Sequence, residues 1–147
     1  MMDELLVPLV GLEQRVHQAS SYYDDEPWQA ENFSLDLPGK RELSLVATVA
    51  GEPVGFLIAS RRPEGVHIHR VAVAPCHRGG GIASGLLGRL LAQAPGLVTL
   101  VCDPRNRSAL ALYARAGFRV TSTTPEGKLF LATGTALRRW SFRERKT

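Results

Sequence analysis

Three groups of residues in this chain carry chemistry by type and spacing. The first is the run Arg78-Gly79-Gly80-Gly81-Ile82-Ala83, set between a β-branched stretch ending at Val73 and an apolar stretch with helical spacing. Strand, glycine loop and helix in that order make an anion site. The first N–H groups of a helix have no internal partner, and the helix dipole adds positive potential there. Glycines let the backbone approach a phosphate closely, and Arg78 adds a charged donor. No Lys-Ser/Thr pair follows, so this is not a Walker loop, nor is it a dinucleotide fingerprint. The second group is Asn106 and Tyr113, seven positions apart and so on one face of one helix. On their own they fit a helix cap and a core aromatic; a phenol is also a protonated donor at neutral pH. The third is His67 and His69, which alternate as strand neighbours and should face the same side as Val71 and Val73. An imidazole titrates near neutrality and can relay a proton. Two ordinary strand histidines are the plainer reading.

Composition bounds what these groups can belong to. The 147 residues suit one domain, 1–147, and at 44% hydrophobic and 22% charged the chain can bury a core. No run reaches the length of a membrane span, so no membrane partner is expected. The start, Met1-Met2-Asp3-Glu4, is acidic where an export signal would be basic. Two cysteines, Cys76 and Cys102, are too few for a disulfide scaffold, which makes a cytoplasmic setting the expectation. No cluster of Cys, His or carboxylates has metal-ligand spacing, so no metal is expected. The net charge of +4 owes much to Arg138, Arg139, Arg143, Arg145 and Lys146. Such a patch can attract nucleic acid, but a solvated terminal strand explains it equally, so a nucleic-acid partner is not expected.

The elements that must position these groups can be read in order. A helix is expected over Val10–Ser20 and a second from Pro27 to about Leu35. Leu43–Ala50 and Val54–Ser60 form a hairpin around Gly51-Glu52-Pro53, and Val66–Val73 is a third strand. After the glycine loop, Ile82, Leu86, Leu87, Leu90 and Leu91 recur at helical spacing up to Gln93. Leu97–Cys102 is a strand, and Asn106 caps a helix to Ala116 that Gly117 ends. Phe118–Thr123 is a strand, Leu129–Ala132 a weaker piece, and Thr135–Arg143 the expected last strand. The sum is a mixed α/β sheet with helices on both faces.

The stretch Val71 to Leu87 resembles the cofactor-binding motif of the GNAT superfamily of N-acetyltransferases. That pattern is Gln or Arg, two residues, Gly, one residue, Gly or Ala; it falls on Arg78, Gly81 and Ala83. A second family motif follows on Asn106, Ala109, Leu112-Tyr113 and Ala116-Gly117-Phe118, and the resemblance covers about residues 43–120. It implies a single-domain GNAT fold, with a mixed, mostly antiparallel sheet whose central strands splay apart. It implies acetyl-CoA as co-substrate, with the pyrophosphate on backbone N–H groups of Gly79, Gly80, Gly81, Ile82, Ala83 and Ser84. The pantetheine arm would bond the main chain of Val71, Ala72 and Val73 like an added strand. Asn106 would contact that arm, and Tyr113 would act as general acid toward the CoA sulfur. The family often carries a Glu on the strand before the loop; His67 holds that position here, with His69 two further on.

The resemblance implies direct transfer of an acetyl group to a primary amine, either a small molecule or a peptide N-terminus. A homodimer is an open option. Glu26-Pro27-Trp28 with Phe33 resembles the acceptor-side helix of the ribosomal-protein alanine N-acetyltransferases. Those enzymes place a Glu five residues before the Asn, where this chain has Val101, and their paired C-terminal tyrosines have no clear match between Thr123 and Trp140. Trp28, Phe33 and Trp140 could line an acceptor pocket, although packing also explains them. Two other readings remain: a non-catalytic acetyl-CoA-binding module, and a basic nucleic-acid-associated protein.

Overall fold

The computed structural model describes residues 2–20, 27–94 and 96–133. Its elements are α1 (Met2–Gln18), α2 (Ala30–Ser34), α3 (Lys40–Leu43), β1 (Leu45–Val49), β2 (Glu52–Arg62) and β3 (Gly65–Val73). There follow a 3-10 turn (Pro75–His77), α4 (Ile82–Gln93), β4 (Leu97–Cys102), α5 (Arg107–Arg115), β5 (Arg119–Thr123) and β6 (Leu129–Thr133). The described strands form one sheet in the order β1-β2-β3-β4-β6-β5. Every neighbouring pair is antiparallel except β3–β4. Parallel neighbours need a crossover, and α4 supplies it. The mixed α/β expectation is met. The strand expected over Thr135–Arg143 and the basic tail lie outside the described residues.

Both faces of the sheet are covered. Leu57, Ala59, Val66, Ile68, Val98 and Leu100 pack with Leu86, Leu87 and Leu90 of α4 and Tyr113 of α5. On the other face Val54, Phe56, Ile58 and Ala72 pack with Leu9, Leu12 and Val16 of α1 and Phe33 of α2. The helix expected over Val10–Ser20 therefore starts at Met2 instead. Pro8 removes one N–H inside it, but the row Leu9, Leu12 and Val16 is fully buried, and that burial outweighs the lost bond.

The hairpin also begins later than its sequence suggests, because Lys40–Leu43 forms a short helix. Its first residue, Lys40, is 5% exposed. The ammonium donates to the carbonyls of Asn32 (3.1 Å), Phe33 (2.7 Å) and Leu35 (2.6 Å). These carbonyls close the C-terminal end of α2, where the helix offers no N–H of its own. Burial lowers the Lys40 pKa from its usual value, against the opposing pull of Asp36.

The β3–β4 junction positions the site. It runs only from Gly65↔Leu97 to Ile68↔Leu100 and stops there. Gly65 has φ +152°, and a β-carbon there would collide with the Leu97 carbonyl, so only glycine lets the two strands come together. Beyond Ile68, β3 continues to Val73 and β4 to Cys102 without pairing each other, while β4 stays paired with β6 from Val98 to Cys102. The central strands are splayed.

Candidate active site

A cavity of about 250 Å³ opens where β3 and β4 part. His69 and Val71 line it from β3, and Cys102 from β4. Asn106 and Tyr113 reach it from α5, and Asp103 and Lys128 complete its polar edge. Asn106 caps α5: its side-chain oxygen accepts the Ala109 N–H at 3.2 Å. Tyr113 is 8% exposed and meets Phe118 edge to face at 5.7 Å. Gly117, at φ +99°, turns the chain so that Phe118 N–H donates to the Tyr113 carbonyl at 2.9 Å. The structure thus brings Asn106 and Tyr113 together at the opening between the strands.

The glycine loop lies at the start of α4, with its backbone open to solvent. Gly79 and Gly81 both have φ +83°. A β-carbon at either would meet nothing within 4 Å, so it is the left-handed backbone that calls for glycine, not crowding. The Gly85 N–H makes the first return bond of the helix, to Gly81 O at 2.9 Å. The N–H groups of Ile82, Ala83 and Ser84 precede it in the first turn, where a helix provides no acceptor. Arg78 and Gly79 to Gly81 are exposed. Val71, Ala72 and Val73 form the end of β3 that leads into this loop, beyond its pairing with β4.

The two histidines do not face the side expected from simple alternation. The β2–β3 register slips between Ile58↔Arg70 and Ala59↔Ile68, so His69 is an extra, bulged residue. A bulge reverses which face each later residue takes. His67 therefore lies on the face opposite Val71, a correction to the even spacing read from sequence. His67 is 7% exposed and its Nδ1 sits 2.7 Å from Thr99 Oγ1. It is not among the residues lining the cavity. His69 is, and its Nε2 lies 2.7 Å from Ser60 Oγ. The two rings meet edge to face at 5.0 Å.

Burial pushes the His67 pKa down to about 4, helped by Arg62 and then His69. The unfolded chain takes up a proton near 6.5 and the folded one does not, so unfolding free energy falls as pH drops from about 6.5 toward 4. His67→Gln is expected to flatten part of that slope in urea titrations at pH 7, 5.5 and 4.5, the remainder coming from His69, whose pKa burial also lowers. Asp103 does not confuse this window. Its hydrogen bonds to the Arg105 guanidinium hold its carboxyl below the usual value of 3.8, so its contribution is lost only at lower pH.

Several groups at the site gave no local signal in the sequence. Glu13 of α1 is 1% exposed and bonds Arg70 of β3 through both carboxylate oxygens. It also accepts the main-chain N–H of Trp28 at 2.9 Å. The Arg70 guanidinium lies 5.6 Å from the centre of the Trp28 ring, and Arg70 lines the cavity. Trp28 also packs edge to face on Phe33 at 5.2 Å, so both residues serve packing here. Asp103 is held by Arg105 at 2.8 Å and by Lys128 at 3.1 Å. Cys102 is buried, which, with Asp103 beside it, raises its thiol to about 11 and keeps it protonated at neutral pH. Among the described residues, no group of three or more His, Cys, Asp or Glu is placed to hold a metal. No helix among them is long and apolar enough to cross a membrane.

Comparison with known proteins gives the arrangement a context. The profile described as "Acetyltransferase (GNAT) family" matches residues 12–118. The L-2,4-diaminobutyric acid acetyltransferase of Nocardia farcinica is 35% identical over 102 residues, covering 65% of this chain and 51% of that protein. The chain spans about a third to a half of the length of the curated relatives it matches. Among solved structures, the PaiA N-acetyltransferase of Thermoplasma acidophilum in complex with coenzyme A superposes with a TM-score of 0.73 at 15% identity, covering 89% of this chain and 93% of that one. The ribosomal-protein-S18-alanine N-acetyltransferase of Escherichia coli superposes with a TM-score of 0.68 at 21% identity, covering 89% and 88%. At these identities the two superpositions establish the fold.

Proposed function

The chain belongs to the acetyltransferase (GNAT) family, and from that premise we propose that it moves the acetyl group of acetyl-CoA directly to a primary amine in a ternary complex. The observation that carries this reading is the parting of β3 and β4 after Ile68 and Leu100, with Asn106 and Tyr113 at the opening. A thioester entering there would lie beside a phenol. The pantetheine arm would run along Val71, Ala72 and Val73 of β3, beyond its pairing with β4. The CoA pyrophosphate would rest on the N–H groups between Gly79 and Ser84, with Arg78 beside it. The Asn106 oxygen is used in capping α5, which leaves its two amide N–H donors for the arm.

The chemistry then falls to the cavity. The amine nitrogen attacks the thioester carbonyl carbon, the C–N bond forms and the C–S bond breaks. Tyr113 gives its phenolic proton to the departing sulfur and recovers one from the nitrogen, which carries one proton too many after attack. His67 has no part in this reading, since its ring is held by Thr99 away from the cavity. A small-molecule acceptor is favoured over a peptide N-terminus. Val101 stands where the peptide-directed enzymes resembled above carry Glu, while relatives of similar identity are named for a small diamino acid and for peptidyl lysine. Both cysteines are free thiols, in keeping with a cytoplasmic setting.

Thiol release from acetyl-CoA across a panel of amino acids, diamines, polyamines and peptides tests the reading. Release that depends on one class of amine supports it. Tight acetyl-CoA binding with no release on any amine would leave a non-catalytic binding module. Tyr113→Phe is expected to lower kcat on the order of 100-fold with little change in acetyl-CoA affinity. An unchanged kcat across the pH range would remove Tyr113 as the acid.

A further inference from the structure

We propose that His69, anchored by Ser60, is the base that removes the ammonium proton from the acceptor. The assignment rests on the proposed acetyl transfer and adds the residue that this reaction lacks. An amine arriving as R–NH3+ cannot attack until it loses one proton. His69 is the bulged residue directly after the last β3–β4 pair, and the bulge sets it on the cavity wall. One ring nitrogen is fixed, with Nε2 and Ser60 Oγ 2.7 Å apart. Ser60 is itself 3% exposed on β2, so this anchor is built into the sheet. In the required tautomer, Nε2–H donates to Ser60 Oγ and Nδ1 offers its lone pair.

The step balances simply. The ammonium proton passes to Nδ1, directly or through one water, giving R–NH2 and an imidazolium. The amine attacks as described above. The imidazolium returns its proton to solvent, so the net products are the amide, CoA thiol and one proton.

The surroundings keep the imidazole neutral. Its pKa is lowered from 6.5 by burial, then by Arg62 of β2 and Lys40 of α3. His67 faces it from its own strand. The cavity wall brings Arg70, Asp103, Lys128, Cys102 and Tyr113 to the same space. Arg70 is compensated by Glu13, and Asp103 by Arg105 and Lys128. The thiol of Cys102 is protonated.

The test is the pH profile of kcat/KM, with acetyl-CoA saturating and the best amine of the panel varied. The unchanged protein should show an acid limb with a midpoint below 6.5. His69→Ala should lose that limb and fall on the order of 100-fold, and added imidazole should restore part of the rate. Ser60→Ala should keep the limb with a several-fold lower kcat, and Ser60→Thr should recover it. If His69→Ala keeps the limb, or loses rate that imidazole does not restore, His69 is structural and the assignment fails. If the unchanged protein releases no thiol with any amine, the acetyl-transfer reading fails and takes this assignment with it.

Discussion

Gly81→Glu is expected to remove measurable acetyl-CoA binding in titration calorimetry, at concentrations that saturate the unchanged protein. Two effects add. Gly81 has φ +83°, so any side chain there is strained by roughly 1–2 kcal/mol. The new carboxylate would also sit among the N–H groups offered to a pyrophosphate, supplying an anion of its own. Together they predict a dissociation constant raised on the order of 100-fold or more. The fold should survive, because a β-carbon at Gly81 meets nothing within 4 Å. Gly88→Ala in the same helix is the control. It too meets nothing within 4 Å and should leave binding intact while stabilising α4 by up to about 1 kcal/mol. Undiminished affinity in Gly81→Glu would overturn the proposed pyrophosphate site.

Glu13→Ala should produce the largest loss of stability from a single polar change. The carboxylate is buried and serves two groups at once, the Arg70 guanidinium and the main-chain N–H of Trp28. Its removal takes the Glu13 carboxylate from a guanidinium that is only 12% exposed. Breaking one side of a buried pair costs about 3–5 kcal/mol, because the remaining charge loses the partner that offset its burial. For a chain of this size that is a fall in Tm of roughly 10 °C. Thermal unfolding followed by circular dichroism checks it. A loss below about 1 kcal/mol would mean that Arg70 finds water or another acceptor. Double replacement of Glu13 and Arg70 by apolar residues should recover part of the loss, since the buried pair contributes little net stability.

What could be read in the sequence was what depends on near neighbours. The glycine loop, the Asn106 cap and the Gly117 stop each involve residues within one or two helical turns, so their chemistry is visible in a short window. The alternating strands were visible for the same reason. Groups that need a distant partner were not. The bulge at His69 exists only because β3 pairs with β2, and nothing in Val66–Val73 announces it. Simple alternation therefore sets both His67 and His69 on the side of Val71, and the register slip moves His67 to the other. Glu13 and Arg70 are 57 residues apart and meet only after α1 packs on the sheet. Lys40 follows Pro38-Gly39 in the sequence, and its role in closing α2 from within the core depends on carbonyls five to eight residues away.

The four paired residues that join β3 to β4 also bear on how the chain folds. On one side, β1, β2 and β3 are linked by tight hairpin turns; on the other, β5 and β6 form a second hairpin. Contacts within each hairpin span few residues and close quickly. The β3–β4 contact brings Gly65 to Leu97 across the whole of α4, so its loop-closure entropy is met later and by only four residue pairs. Two locally folded halves that meet at a narrow seam should place Gly65 and Val98 low on a φ-value scale, and the hairpin residues high. The seam beside the cavity is thus also expected to be the last part of the sheet to close.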